Sequence, residues 1–106
     1  MLLSLMMSKR IKKINHFIDH PIKAQQDVFE FLIKNGRKTI FGKEHNFKQI
    51  KDYSSFKKNI PIRSYEEISP YIQKSLKGSN NILWPGKAEW FAKSSGTTNN
   101  KSKYIT

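Results

Sequence analysis

The sequence predicts an α+β or α/β fragment, with N-terminal helices followed by the first strands of a larger sheet. Three observations lead there. Apolar residues recur at spacings of three and four through the amino-terminal third, as on one face of a helix. Helix start and stop chemistry brackets a later segment that ends at Gly78. After "GSNN" the helical period gives way to short β-branched and aromatic runs around a Pro-Gly turn. The helical part is expected over residues 1–78, and strands with a polar loop over 82–106.

In chain order, Leu3, Met7, Ile11, Ile14 and Ile18 form the first stripe, with Lys9, Lys12 and Lys13 off it. Such a stripe usually packs on the rest of a protein; the alternative is a basic amphipathic helix on a membrane surface. Pro21 suits the first turn of a second helix, where its missing N–H costs nothing. Ala24, Val28, Phe31 and Leu32 continue that helix, which is expected to end between Lys38 and Phe41, before Gly42. "FGKEHNFKQIKDY" reads as a loop with at most one short turn. "SSFKKNIP" reads as a brief helix stopped by Pro61. Ser64 and Glu67 stand in capping-box register, and Gly78 supplies a left-handed stop. Pro70 lies between them, so this is a kinked helix or two short ones end to end. "ILW" and "EWFAK", on either side of the turn "PGK", read as two strands, and "KYIT" opens a third. A sheet that has only begun cannot bury its faces, so the chain is expected to be the front of a larger adenylating domain.

The totals narrow the function classes. A chain of 106 residues suits one small domain with a thin stability margin. The net charge is +12, which can mark a nucleic-acid or anionic-membrane partner. However, only Arg10, Arg37 and Arg63 are arginine, the residue that reads phosphate and guanine in bidentate fashion. Lysine in excess, beside abundant isoleucine and asparagine, fits an AT-rich genome better than a nucleic-acid footprint. The absence of cysteine excludes disulfides and thiolate metal sites and fits a cytoplasmic protein. The apolar start "MLLSLMM" is too short to span a bilayer and lacks the order of a secretion signal.

"WFAKSSGTTNNKSKYIT" carries the chemistry. Ser94, Ser95, Gly96, Thr97 and Thr98 follow a strand directly. Glycine lets the backbone approach a ligand, successive N–H groups can form an anion nest, and hydroxyls add donors without bulk. Lys101 or Lys103 can put a cation on the same phosphate oxygens. Composition alone favours an ordinary polar turn. The loop is no Walker A motif, since G-x-x-x-x-G-K-[ST] is absent.

The order of these residues goes further. "SSGTTNNKSK" resembles the phosphate-binding loop of the acyl-adenylate-forming superfamily. Together with "FGKEHNF", "YSSFKKNIPIRSYEEISPYI", "KGSNNILWPG" and "WFAKSSGTT", it is similar to the amino-terminal part of the auxin-responsive amido synthetase family. The likeness runs from roughly Pro21 to Thr106. It implies an ATP-dependent acyl-acid amido synthetase. A carboxylic acid attacks the α-phosphate of ATP, and an amino acid then attacks the acyl-adenylate to form an amide and release AMP. On this resemblance Ser94, Ser95, Gly96, Thr97 and Thr98 cradle the ATP phosphates, and Lys103 matches the family lysine better than Lys101. The sequence departs in having Asn99-Asn100 where a small residue and glycine are common. ATP and Mg2+ are the implied cofactors. ATP, a carboxylic acid and an amino acid are the implied partners, with no nucleic acid and no membrane. The pockets for adenine and acid, and the magnesium ligand, lie downstream in such enzymes, so the chain alone is expected to catalyse nothing. The rival class is a small basic nucleic-acid-binding module.

The remaining residues have plainer readings. His16 and His20 have a metal-compatible spacing but no third ligand, so they read as surface histidines. His45 is expected to shape its loop. Trp84 and Trp90 could stack on a base, but aromatics beside strands are more often core.

Overall fold

The computed structural model describes residues 1–96 and 102–106. The chain divides into two compact units, Met1–Leu32 and Ile33–Thr106.

The first unit contains α1 (Leu2–Asp19) and the start of α2 (Pro21–Gly36). The break between them follows from Pro21: a proline pushes the residue before it out of the α region. His20 accordingly sits at φ −134° and ψ 60°. Its carbonyl still accepts from the Ala24 N–H at 2.9 Å, so α2 starts without a gap in bonding. Two i, i+4 pairs support α2, Lys23 with Asp27 at 2.5 Å and Gln26 with Glu30 at 2.8 Å. Of the second stripe only Ala24 is buried. The first stripe departs further from expectation. No residue of α1 is buried, and Leu3, Met7, Ile11, Ile14 and Ile18 are each more than half exposed. Periodicity specifies which face of a helix is apolar; it does not specify what covers that face.

In the second unit Ile33, Ile50, Ile72 and Ile82 form the apolar core, together with buried Thr39, His45 and Ser75. α2 ends at Gly36, short of the expected boundary. Thr39 explains the early stop. Its hydroxyl donates to the Gly36 carbonyl at 2.7 Å and accepts the Gly42 N–H at 2.9 Å. One fully buried side chain thus ends α2 and caps α3 (Ile40–Glu44). Gly42 is required by closeness: a Cβ there would stand 2.0 Å from the Gly36 carbonyl oxygen. A 3-10 turn follows at Phe47–Gln49. "FGKEHNFKQIKDY" therefore holds two short helical elements, more than the single turn expected. Five-residue helices are too short to show a period.

α4 (Tyr53–Asn59) is the brief helix expected before Pro61. Asp52 and Ser55 box its start, with the Ser55 N–H bonded to Asp52 Oδ1 at 2.7 Å. Hydrogen bonds from Ser55 hold the Asp52 carboxyl below its ordinary range. α5 (Tyr65–Leu76) runs through Pro70 as one helix. The Ser64–Glu67 capping box is present, with the Ser64 N–H on Glu67 Oε2 at 2.7 Å and the Glu67 N–H on Ser64 Oγ at 3.4 Å. Glu66 and Glu67 also place negative charge at the positive end of the helix dipole. At the other end Gly78 adopts φ +86°. Its N–H bonds to the Ser75 carbonyl at 2.9 Å, and the Ser79 N–H to the Lys74 carbonyl at 3.1 Å, which is a Schellman stop.

The sheet is smaller than expected. "ILW" is not a strand; residues 81–86 form a run of bends. The Asn81 and Ile82 carbonyls accept the Ile40 and Phe41 N–H groups at 2.8 and 3.1 Å. They satisfy the free donors at the start of α3 in place of a strand neighbour. Asn81 at φ 55° and Gly86 at φ 89° close this turn with bonds of 2.8 Å between them. "EWFAK" contributes β1 at Ala92–Lys93 only, and "KYIT" contributes β2 at Tyr104–Ile105. The two pair antiparallel, with Ala92 opposite Ile105 and Lys93 opposite Tyr104. Trp84 and Trp90 are largely exposed, so neither is the core residue that its position suggested. The α+β class stands: mostly helix, then a small sheet.

Ser64→Ala should destabilise the folded protein by about 1 kcal/mol in urea unfolding. The cap also makes a pH prediction. Hydrogen bonds from Ser64 lower the Glu67 pKa from its ordinary 4.5. Its contribution is therefore complete above that value and disappears as pH falls through the lower folded value. The thermal midpoint should drop over that acid window, and Ser64→Ala should flatten the drop.

Candidate functional site

The hydroxyl-rich loop leaves β1 at Ser94 and returns through Lys103 to β2. Its base is closed by two bonds. The Ser94 N–H donates to the Lys103 carbonyl at 2.9 Å, and the Lys103 N–H donates to Ser94 Oγ at 2.9 Å. Ser94 Oγ thus accepts one of the two closing bonds, which leaves its O–H as a donor. Ser95 is exposed and Gly96 half-buried. Thr97, Thr98 and Lys101 lie outside the described residues.

Lys103 is not a bare cation in solvent. Its Nζ stands 3.6 Å from a Glu66 carboxylate oxygen and 4.9 Å from the centre of the Tyr65 ring. The Glu66 carboxyl is held below its ordinary range, first by a backbone hydrogen bond of its own residue and then by the Lys103 charge. The pair is well exposed, so its worth to stability is small. Tyr65 makes two further contacts. Its hydroxyl donates to the Tyr104 carbonyl at 2.9 Å and accepts the Tyr104 N–H at 3.0 Å. An open depression of about 440 Å³ lies beside Tyr65, Glu66, Ser102 and Lys103. The structure therefore brings Ser94 and Lys103 together, and adds Tyr65 and Glu66, which sequence reasoning did not assign. The capping box marked where α5 begins, but no local signal ties its first residue to a strand 39 positions later.

A second cluster ties α3 to the segment that leads into α5. His45 is buried and stacks on Phe41 with ring centres 4.0 Å apart. Its Nδ1 lies 2.8 Å from the Phe41 carbonyl oxygen, which can only accept, so Nδ1 carries the proton. Nε2 then accepts from Arg63 Nη2 at 2.7 Å. His45 shapes its loop, as expected, by joining α3 to the segment that leads into α5. The Tyr71 hydroxyl donates to the Glu44 carboxylate and makes a second tie between α3 and α5. That bond, followed by burial, raises the Tyr71 pKa. The His16 and His20 rings stand 5.3 Å apart on an exposed surface. Among the described residues no group of three or more His, Cys, Asp or Glu could hold a metal ion. No helix among them is long and apolar enough to cross a membrane.

The strand-loop-strand unit thus carries serines, a glycine and a lysine, with Lys103 set against the first turn of α5. Residues 10–106 match the GH3 family N-terminal domain, and the chain belongs to that family. Among curated relatives, it is 29% identical over 95 residues to the 4-substituted benzoates-glutamate ligase GH3.12 of Arabidopsis thaliana, covering 89% of this chain and 16% of that protein. It is 27% identical over 98 residues to the indole-3-acetic acid-amido synthetase GH3.2 of Arabidopsis thaliana, covering 92% of this chain and 18% of that protein. The chain thus spans less than a fifth of the length of these relatives. No solved structure matches it significantly.

His45→Phe keeps a ring against Phe41, and the Phe41 carbonyl keeps the backbone N–H of residue 45, but Arg63 Nη2 loses its imidazole acceptor. It should cost about 2 kcal/mol in urea unfolding.

Proposed function

We propose that these residues are the amino-terminal part of a cytoplasmic, ATP-dependent acyl-acid amido synthetase. A carboxylate is a poor acylating agent until one of its oxygens becomes part of a good leaving group. Its attack on the α-phosphorus of ATP expels pyrophosphate and leaves an acyl-adenylate. An amino acid amine then attacks the acyl carbon and expels AMP.

In this reading Ser94 presents its hydroxyl, and Ser95, Gly96, Thr97 and Thr98 their backbone N–H groups and hydroxyls, to the phosphates. Ser94 holds the loop closed, and Lys103 supplies a positive charge. Such donors act where charge spreads over the phosphate oxygens during transfer. The carrying observation is the loop closure by Ser94 and Lys103 in a chain matched by the family over residues 10–106. The relatives' names, an acid–glutamate ligase and an acid-amido synthetase, point the same way. Magnesium would accompany the nucleotide and offset its charge. The described residues offer no carboxylate cluster to hold it, so none of the steps above depends on a metal ligand in this chain.

In the whole protein that contains this chain, Gly96→Val or Lys103→Ala should lower kcat/KM for ATP–pyrophosphate exchange about a hundredfold. Unchanged exchange in both variants would sink the loop assignment. The isolated residues 1–106 should show no exchange with any acid, and measurable exchange would refute the reading of them as one part of a larger catalytic unit.

A further inference from the structure

We infer that Tyr65 and Glu66 are positioning residues of the phosphate loop: Tyr65 clamps the strand after Lys103, and Glu66 holds the Lys103 ammonium until phosphate replaces it. The inference rests on the reading of this loop as the ATP-phosphate site.

The pairing register leaves Tyr104 in need of a partner outside β1. In an antiparallel pair, hydrogen-bonded and non-hydrogen-bonded positions alternate. Ser94 and Lys103 exchange bonds at the loop base, so the next pair inward, Lys93 and Tyr104, is the non-bonded one. The N–H and C=O of Tyr104 therefore face away from β1. A strand edge in that state normally needs another strand or water. Here one phenol oxygen serves both groups, accepting from the N–H at 3.0 Å and donating to the carbonyl at 2.9 Å. Two-residue strands cannot hold a hairpin by themselves. The loop's closing end is thus pinned to the first turn of α5, which is itself fixed by the Ser64–Glu67 box.

Lys103 meets the same turn of α5. Its Nζ lies over the ring of the same Tyr65 and 3.6 Å from Glu66. The ring restricts where the ammonium can go without competing for its hydrogen-bond donors. The carboxylate does compete: a phosphate oxygen and Glu66 want the same N–H groups. Both lysine and glutamate are about half exposed or more, so the exchange needs no buried charge to be created. Ser102 and Lys103 line the open depression beside this pair, which leaves room for an incoming anion.

The test uses the whole protein containing this chain, with separate KM values for ATP, acid and amino acid. Tyr65→Phe keeps the ring under Lys103 and removes both bonds to Tyr104. It should raise the KM for ATP about tenfold while leaving the KM values for acid and amino acid unchanged. Glu66→Gln removes the competing charge at nearly constant shape. It should lower the KM for ATP about twofold at low salt, and the difference should fade as ionic strength rises. Lys103→Ala separates the two levels of the argument. If it leaves ATP binding unchanged, the loop reading itself fails. If it weakens ATP binding while Tyr65→Phe and Glu66→Gln do nothing, the loop reading stands and the positioning role is overturned. An equal rise in all three KM values for Tyr65→Phe would show a merely structural tyrosine and would also overturn the role. Should Tyr65→Phe fail to fold, Glu66→Gln decides alone: a lower ATP KM supports the inference and an unchanged one ends it.

Discussion

The contact on which the loop-bearing unit turns is that between the Tyr65 hydroxyl and the backbone of Tyr104. β1 and β2 offer each other two residues apiece, far less than a free hairpin needs. A phenol is one of the few side chains that can give and accept a hydrogen bond at one atom, so it can stand in for a strand edge. The placement of the hairpin's base then follows from where α5 begins. That point is set by Ser64 and Glu67, and the far end of the helix by Gly78. A local capping signal is thereby converted into the position of a strand pair.

The same economy recurs on the other side of the unit. Thr39 uses one hydroxyl to end α2 and to begin α3. Asn81 and Ile82 use their carbonyls to complete the start of α3 instead of a sheet. His45 and Arg63 join that helix to the segment entering α5. Thr39 finds its partners three residues away on either side, whereas the α3 donors and His45 find theirs in different stretches of chain. The result is a framework of short elements held by specific polar contacts around a few isoleucines.

Charge is arranged with the same locality. The chain carries +12, yet the lysine that matters for the proposed chemistry is matched by a glutamate and an aromatic ring. Excess charge over a whole chain therefore says little about any one site. The exposed apolar face of α1 makes the complementary point: a regular stripe of large side chains is a statement about helix geometry, and burial is a separate matter.

By itself the sequence determined the order of helices before strands, the helices α1, α4 and α5, the capping box, the glycine stop and the hydroxyl-rich loop after a strand. These are written in residues within four positions of one another, or in a short repeat, and the relevant physics acts over one helical turn. Tertiary structure alone decided the early end of α2 at Gly36, the helix inside "FGKEHNF", the use of "ILW" as a helix cap, and the partners of Lys103. It also decided that Trp84 and Trp90 stay exposed beside the strands. Those outcomes depend on which distant backbone group reaches an unsatisfied donor or acceptor first. Tyr65 and Tyr104, 39 residues apart, show why no local pattern could announce it: their meeting is fixed by the path of the chain between them.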